Sequence, residues 1–427
     1  MFSQNGLSLD QAPPISVVFR FFFSGALFGI LSGILILLFK ADIFNAHSIE
    51  AIILTHTLTL GVMLSFMFAA LFQMLPVIAG VTLTSPIQKA NVVQYPFILG
   101  VITLLFAFHT STPLLFGLAS VLLGGSILYI AVIMFKNLMG LPNHSASSKG
   151  ILLTLGSLLT VILLALYLTG TLAGLFSGTY YTQIKEAHYS FGLFGWIGLL
   201  IISISFQTIE MFYVTPPYPK LVSRTLPLSL LTLLIITTVI GLFNTTIWTL
   251  SNVLLALLLT GYALLTLKRL TQRKRPLTDA TVWFWRLGLS SLILSMLLMI
   301  FSQFKEIAVL QTLSYIFFTS FALSIVFAMF YKIVPFLTWF HLNSQGYFTA
   351  PMMHEVIHPK TAKKHLYIHL STIVTFILSI FIPQMIILAG LLTILSFVWM
   401  CYQIIHAHLL YKKTQKTGEK FDMGMMS

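Results

Sequence analysis

Charge is what this sequence has least of. Of its 427 residues only 8% are charged while 58% are hydrophobic, and the mean hydropathy is +0.97. A water-soluble domain of this length needs many more charges to cover its surface, so the chain reads as a polytopic membrane protein. Cysteine is nearly missing as well. The single Cys401 excludes internal disulfides, Cys-rich zinc or iron–sulfur sites and a CxxCH haem attachment. Acids are scarcer than bases, 10 against 23, giving a formal charge of +13. In a soluble protein that excess would point to nucleic acid. Here it sits in short gaps between apolar runs and reports topology instead, so the expected surroundings are lipid and no nucleic acid. No cleavable signal is expected, because the polar start "MFSQNGLSLDQAPP" leads directly into a span too long for a signal core.

What is present is a series of long apolar runs. A helix needs about 20 apolar residues to cross the hydrocarbon layer. Twelve stretches qualify, roughly 15–40, 49–81, 90–110, 112–137, 149–178, 183–213, 222–244, 247–270, 281–304, 307–335, 365–383 and 385–411. Breaks such as "LPNHSASS", "VTPPYPK" and "FIPQ" separate them. Gaps on the side of the N-terminus hold Lys89, Lys136, Lys149, Lys220, Arg224, the run Lys268 to Arg275, Lys360, Lys363 and Lys364. The opposite gaps hold only Lys40, Lys185 and Lys305. By the positive-inside rule both termini are cytoplasmic, and a bacterial inner membrane is the expected location.

The second and tenth stretches, "THTLTLGVMLSFMFAALFQMLPVIAG" and "SYIFFTSFALSIVFAMFYKIVPFLTW", align with Phe68 over Phe327, Phe72 over Tyr331 and Pro76 over Pro335. The sixth stretch shares a His-then-Gly opening and a Phe-Gln pair when two residues are inserted. Glu50, Glu186 and Glu306 precede the three stretches. A repeat every four helices predicts an all-α fold of three four-helix units, about 15–137, 149–270 and 281–411, in a pseudo-threefold arrangement within one domain spanning 1–427. The plain alternative is that apolar helices share Phe, Leu and Ala regardless.

Ionisable and metal-binding side chains are costly in hydrocarbon, which makes the few present here functional candidates. His56 and His188 each lie one to three turns inside the outer end of their helices. An imidazole in an apolar bundle suits haem iron or copper; the plain alternative is a histidine hydrogen-bonded to a neighbouring backbone. Gly61 and Gly192 follow them and leave room for a flat macrocycle or another helix. Tyr315 holds the corresponding place in the tenth stretch. Glu210, near the inner end of the sixth, is a proton-feeding candidate or an acid reaching water at the interface. Gln73, Gln207 and Gln311 read as interhelical hydrogen-bonding groups. His365 and His369 share a helix face, whereas His406 and His408 do not.

His354-Glu355-Val356-Ile357-His358 matches the HExxH pattern of zinc metalloproteases, in which two histidines on one helix face bind zinc and the Glu acts as base. Pro359 biases His358 away from helical geometry where that helix must continue. None of Asp10, Asp42, Asp279 and Asp422 lies within an apolar run to serve as a further ligand.

The twelve stretches, the cytoplasmic N-terminus, the units of four, His56 and His188 together resemble subunit I of haem–copper oxidases and nitric oxide reductases. The stretch "THTLTLG…FAALFQMLPVIAG" is also similar to the NnrS-type haem and copper membrane proteins of nitric oxide defence. In the oxidases, histidines of the second and tenth helices hold a low-spin haem. The sixth and seventh supply copper ligands, and a second histidine of the tenth holds the reactive haem. Only His56 and His188 match. The seventh and tenth stretches contain no histidine, and His341 lies just past the tenth. The resemblance therefore implies haem b or copper toward the outer half of the membrane, in respiratory redox or nitric oxide metabolism, with a small gaseous or redox substrate and without the standard oxygen-reducing centre. Whether the two histidines share one group stays open, as do two other classes: a twelve-helix secondary transporter and a zinc metalloprotease.

Overall fold

The structure is a computed structural model that describes residues 12–275, 278–305 and 307–420. Asp10, Glu306 and Asp422 lie outside the described residues. Helices make up the fold, and the described residues contain no strand pairing beyond one isolated bridge, Tyr347 with Lys420.

Among the described residues, eleven helices are long and apolar enough to cross a membrane. In chain order they are α1 (Ile15–Phe44), α2 (Ile49–Val77), α3 (Pro86–Thr110), α4 (Pro113–Met139), α5 (Ala146–Leu172), α6 (Tyr181–Tyr213), α7 (Lys220–Phe243), α8 (Thr245–Thr271), α9 (Ala280–Ser302), α10 (Ala308–Ser344) and, last, α12 (Met385–Thr417). Between the last two, α11 (Pro359–Ser379) forms where a twelfth crossing was expected. It falls short of the others because Lys360, Lys363 and Lys364 occupy its first turns. Proline opens this helix at its first position, where no backbone donor is lost.

One boundary differs from the sequence reading. Helix α10 continues through Pro335 to Ser344, so His341 lies in its last turn rather than beyond it. Neighbouring helices hold the chain on course past an internal proline in such bundles, and Pro76, Pro96 and Pro227 are accommodated within helices in the same way.

The first and last helices lie side by side. A Cβ at Gly29 would run into the Phe397 ring, one at Gly33 would meet Ile394, and one at Gly390 would meet Leu37. Small residues on both sides let the two backbones approach. The pairing of Gly33 with Gly390 and of Gly29 with Phe397 is antiparallel. The start of α1 and the end of α12 therefore share one face of the bundle, here called the terminal face; the opposite one is distal. Helices α2 and α6 both start at the distal face.

Among the described residues, three helices widen locally into π turns: α2 over Thr57–Leu64, α4 over Ser120–Gly124 and α6 over Phe191–Gly198. The segments of α2 and α6 are each 8 residues long and begin just after His56 and His188. Such bulges are uncommon and often accompany functional sites. The interior is aromatic. Phe22 of α1 packs on Phe66 of α2 at 5.3 Å and on Phe330 of α10 at 6.0 Å, and Phe68 meets Trp196 of α6 edge-on at 6.4 Å. The outward faces expose Leu114, Val121, Leu221 and Phe243, as a lipid-facing surface requires.

Candidate functional site

Ser48 caps the distal start of α2 by accepting a hydrogen bond from the Ala51 N–H at 3.0 Å. Two turns on, His56 faces His188 of α6. Their ring centroids are 6.5 Å apart and their planes are inclined by only 15°.

Each ring is oriented through the same nitrogen. His56 Nδ1 lies 2.8 Å from the Ile52 carbonyl oxygen, and His188 Nδ1 lies 3.3 Å from that of Val161 on α5. A carbonyl only accepts, so both Nδ1 atoms carry the proton and both Nε2 atoms present a lone pair. That is the tautomer of a metal-ligating imidazole, with the second nitrogen tied to backbone. Phe108 of α3 leans against His56 at 5.1 Å, with Phe116 of α4 edge-on behind it at 5.3 Å, which closes that side with hydrocarbon.

The two glycines divide the roles the sequence left open to both. Gly61 is filled by another helix, since a Cβ there would meet the Phe28 ring of α1 at 2.6 Å. Gly192, one turn past His188, has nothing within 4 Å of its Cβ position. Room beside His188 is therefore built in.

The donor set limits what could bind. The described residues contain no cluster of three or more His, Cys, Asp or Glu able to hold a metal ion. Two imidazoles alone do not complete a tetrahedral zinc site. They suit a group that brings its own remaining donors, as a porphyrin does, or copper in a low coordination number. Metal–nitrogen bonds of about 2 Å to two opposed imidazoles would set the ring centroids roughly 6 Å apart, close to the separation here. His56 and His188 are the two residues that would hold such a group.

Tyr315 of α10 does not join this pair. It lies at the distal rim near Gln311, Glu186 and Tyr189, with Tyr189 against Glu186. Glu210 lies at the other end of α6, where its Oε1 accepts the Tyr218 N–H at 2.8 Å and fastens the turn into α7. Gln73 differs from expectation. It is buried at 3% exposure, yet neither its amide nitrogen nor its oxygen has a hydrogen-bond partner.

A second histidine pair has more structure than its spacing disclosed. His365 and His369 on α11 are buried on either side of the Phe327 ring, at 4.6 and 4.9 Å. His365 Nδ1 is joined to the Tyr331 hydroxyl at 2.9 Å and its Nε2 to Ser396 at 2.6 Å; His369 Nε2 is joined to Ser324 at 2.9 Å. Their ring nitrogens diverge to α10 and α12 and serve as fasteners for α11. Hydroxyl partners on distant helices left no local mark in the sequence.

The HEVIH segment does not form a metal-binding helix. A single helical turn, Met353–Val356, ends before the second histidine, as Pro359 dictates. Glu355 Oε2 accepts the Met352 N–H at 2.7 Å, and His358 Nδ1 accepts the Lys360 N–H at 3.1 Å to cap α11. Glu355 and His358 are thus both spent on backbone. His406 and His408 are exposed on α12.

No family model and no curated protein matches the chain.

Proposed function

We propose that the chain is a haem–copper-oxidase-like membrane protein of twelve crossings, in which His56 and His188 together hold one haem b for electron transfer in respiratory or nitric oxide metabolism. The observation that carries this reading is the opposed, near-parallel pair of rings, each with Nδ1 engaged by a backbone carbonyl. A shared group accounts for that pairing better than two separate sites 6.5 Å apart.

His56 and His188 would hold the haem, which would supply reversible one-electron chemistry at its iron. The Ile52 and Val161 carbonyls hold the rings in register and raise their basicity. Phe108 excludes water, and Gly192 leaves space for the macrocycle. Helices α7 and α10 supply no histidine to the distal half, which speaks against a copper-containing oxygen-reducing centre. Copper held by the same two nitrogens is the second reading, supported by the same donor set.

The matched π segments of α2 and α6 favour repeating four-helix units with pseudo-threefold symmetry; α10 carries no such segment. Counting α11 as the twelfth crossing agrees with the start of α1 and the end of α12 lying on one face. Under the positive-inside rule that face is cytoplasmic, in a bacterial inner membrane.

The test is an absorption spectrum and metal analysis of the purified protein. A Soret band with about one iron per chain is expected, lost in both His56→Ala and His188→Ala. A folded, colourless protein free of iron overturns the haem reading, and copper at one per chain replaces it with the second. Solute uptake in proteoliposomes by a colourless, metal-free protein would establish the transporter class instead.

A further inference from the structure

Arg20 lies in the second turn of α1, inside an apolar stretch where a charge is costly. Residues 12–30 and 82–100, around the starts of α1 and α3, contain no Asp or Glu, so neither helix offers it a carboxylate. Neutral oxygens of α3 hold its guanidinium instead. One terminal nitrogen donates to the Asn91 side-chain oxygen and the other to the Ile87 carbonyl at 3.4 Å. One turn further in, the Gln94 amide donates to the Arg20 carbonyl at 3.0 Å and to the Ser24 hydroxyl at 2.7 Å. An arginine near a helix end ordinarily extends to water. This one is tied across to a neighbouring helix, and its Nε is buried with no partner.

These contacts advance in step, from Arg20 with Asn91 to Ser24 with Gln94, so α1 and α3 run parallel from the terminal face. Their outward sides line up as a result. On α1, Arg20 is followed at helical spacing by the exposed Leu27 and Ile34; on α3, Asn91 is followed by the exposed Tyr95, Leu99 and Phe106. From Arg20 to Ile34 is roughly 21 Å at helical rise. That exceeds one leaflet's share of a hydrocarbon layer about 30 Å thick. The shared outer surface is therefore charged and polar at the terminal face and apolar beyond it, the same order of polarity as a phospholipid standing beside it.

We propose that Arg20, held in place by Asn91, binds the phosphate of a phospholipid of net negative charge, whose acyl chain lies along Leu27 and Leu99. A guanidinium has five N–H donors, and each terminal nitrogen keeps a second one after its contact with α3. Two phosphate oxygens can accept that pair. The uncompensated charge selects the headgroup. A zwitterionic lipid would bring an ammonium to a place without a carboxylate, where α3 already carries Lys89 on the oxygens of Thr84. An acidic lipid brings the missing negative charge. The site needs no prosthetic group, so it stands or falls separately from the haem reading.

The probe is phosphatidylglycerol with a photoreactive diazirine on its acyl chain, present as a trace in phosphatidylcholine nanodiscs that hold the full chain. After illumination, labelled peptides containing Leu27 or Leu99 are expected. Added unlabelled phosphatidylglycerol should suppress that labelling, while extra phosphatidylcholine or inorganic phosphate should not. Arg20→Gln should lower labelling at Leu99 by about fivefold, as loss of one basic contact to an acidic lipid implies. Labelling around Leu228 on α7, another exposed position, should stay unchanged in this variant. The competition in the wild type decides the question alone if Arg20→Gln fails to fold. Equal suppression by phosphatidylcholine, displacement of the probe by inorganic phosphate, or undiminished labelling at Leu99 in folded Arg20→Gln would each overturn the proposal.

Discussion

His56 and His188 come from helices separated by three others in the chain, yet their rings stand 6.5 Å apart and nearly parallel. The empty space next to them at Gly192 gives a way to expel a bound group without touching either ligand. Gly192→Leu should preserve the fold and lower the Soret absorbance per mole of protein by about tenfold or more, because the side chain would fill that space one turn from His188. Full absorbance in this variant would mean that the group does not lie on that side.

The buried pair on α11 should behave in the opposite way. His365→Leu leaves the Tyr331 and Ser396 hydroxyls buried without their partner, at a cost of about 2–4 kcal/mol. Thermal unfolding in detergent should shift down accordingly while the iron content per folded chain stays at the wild-type value. Loss of iron with unchanged stability would reassign these histidines.

Asp279 caps α9 through the Thr281 and Val282 N–H groups and pairs with Lys332 of α10 at 2.6 Å. Burial works to raise its carboxyl pKa, but the Lys332 charge and the hydrogen bonds outweigh it and hold it below the ordinary carboxylate value. A depressed carboxylate contributes stability above its unfolded value of about 4 and loses it as pH falls through the lower folded value. Asp279→Asn keeps most of the cap and removes the ion pair. With the Asp279 side chain 39% exposed, the cost near neutrality should be only about 1 kcal/mol. The difference from wild type should shrink below pH 4, as read from unfolding midpoints across pH.

The seam between α1 and α12 should be intolerant of added bulk. Gly29→Val drives a side chain into the Phe397 ring and should cost at least about 2 kcal/mol. Chemical denaturation in mild detergent measures this, with Gly125→Ala, where nothing lies within 4 Å, as the control.

Glu355 is predicted to matter little. Glu355→Gln weakens one backbone cap, at a cost of roughly 1 kcal/mol or less, and should leave the metal content unchanged. Zinc bound stoichiometrically by the wild type and lost in the variant would restore the protease motif.

Much of the bundle could be read from hydropathy because lipid imposes a strong, local rule on every crossing helix. The exceptions are informative. Three lysines at the start of α11 and Pro335 within α10 send conflicting local signals, and tertiary neighbours decided both. His56 and His188 stood out because an imidazole in an apolar run is rare, but that their rings stand together follows from how the bundle brings α2 and α6 near each other, which no spacing encodes. The same holds for Ser324, Tyr331 and Ser396, ordinary residues until the fold sets them beside His365 and His369. Gln73 had the right chemistry for an interhelical bond and no acceptor within reach. HEVIH shows the reverse, since a motif with the right letters was recruited for capping.

Because α1 and α12 interlock through Gly29, Gly33 and Gly390, the start of α1 and the end of α12 lie together on the terminal face. Order along the polypeptide is then separable from order in space. A circular permutant, with the start of α1 and the end of α12 joined by a flexible linker and new ends cut at the distal turn by Ser111 and Thr112, should assemble the same set of neighbours, whereas deletion of α1 would leave α12 with an unpartnered groove.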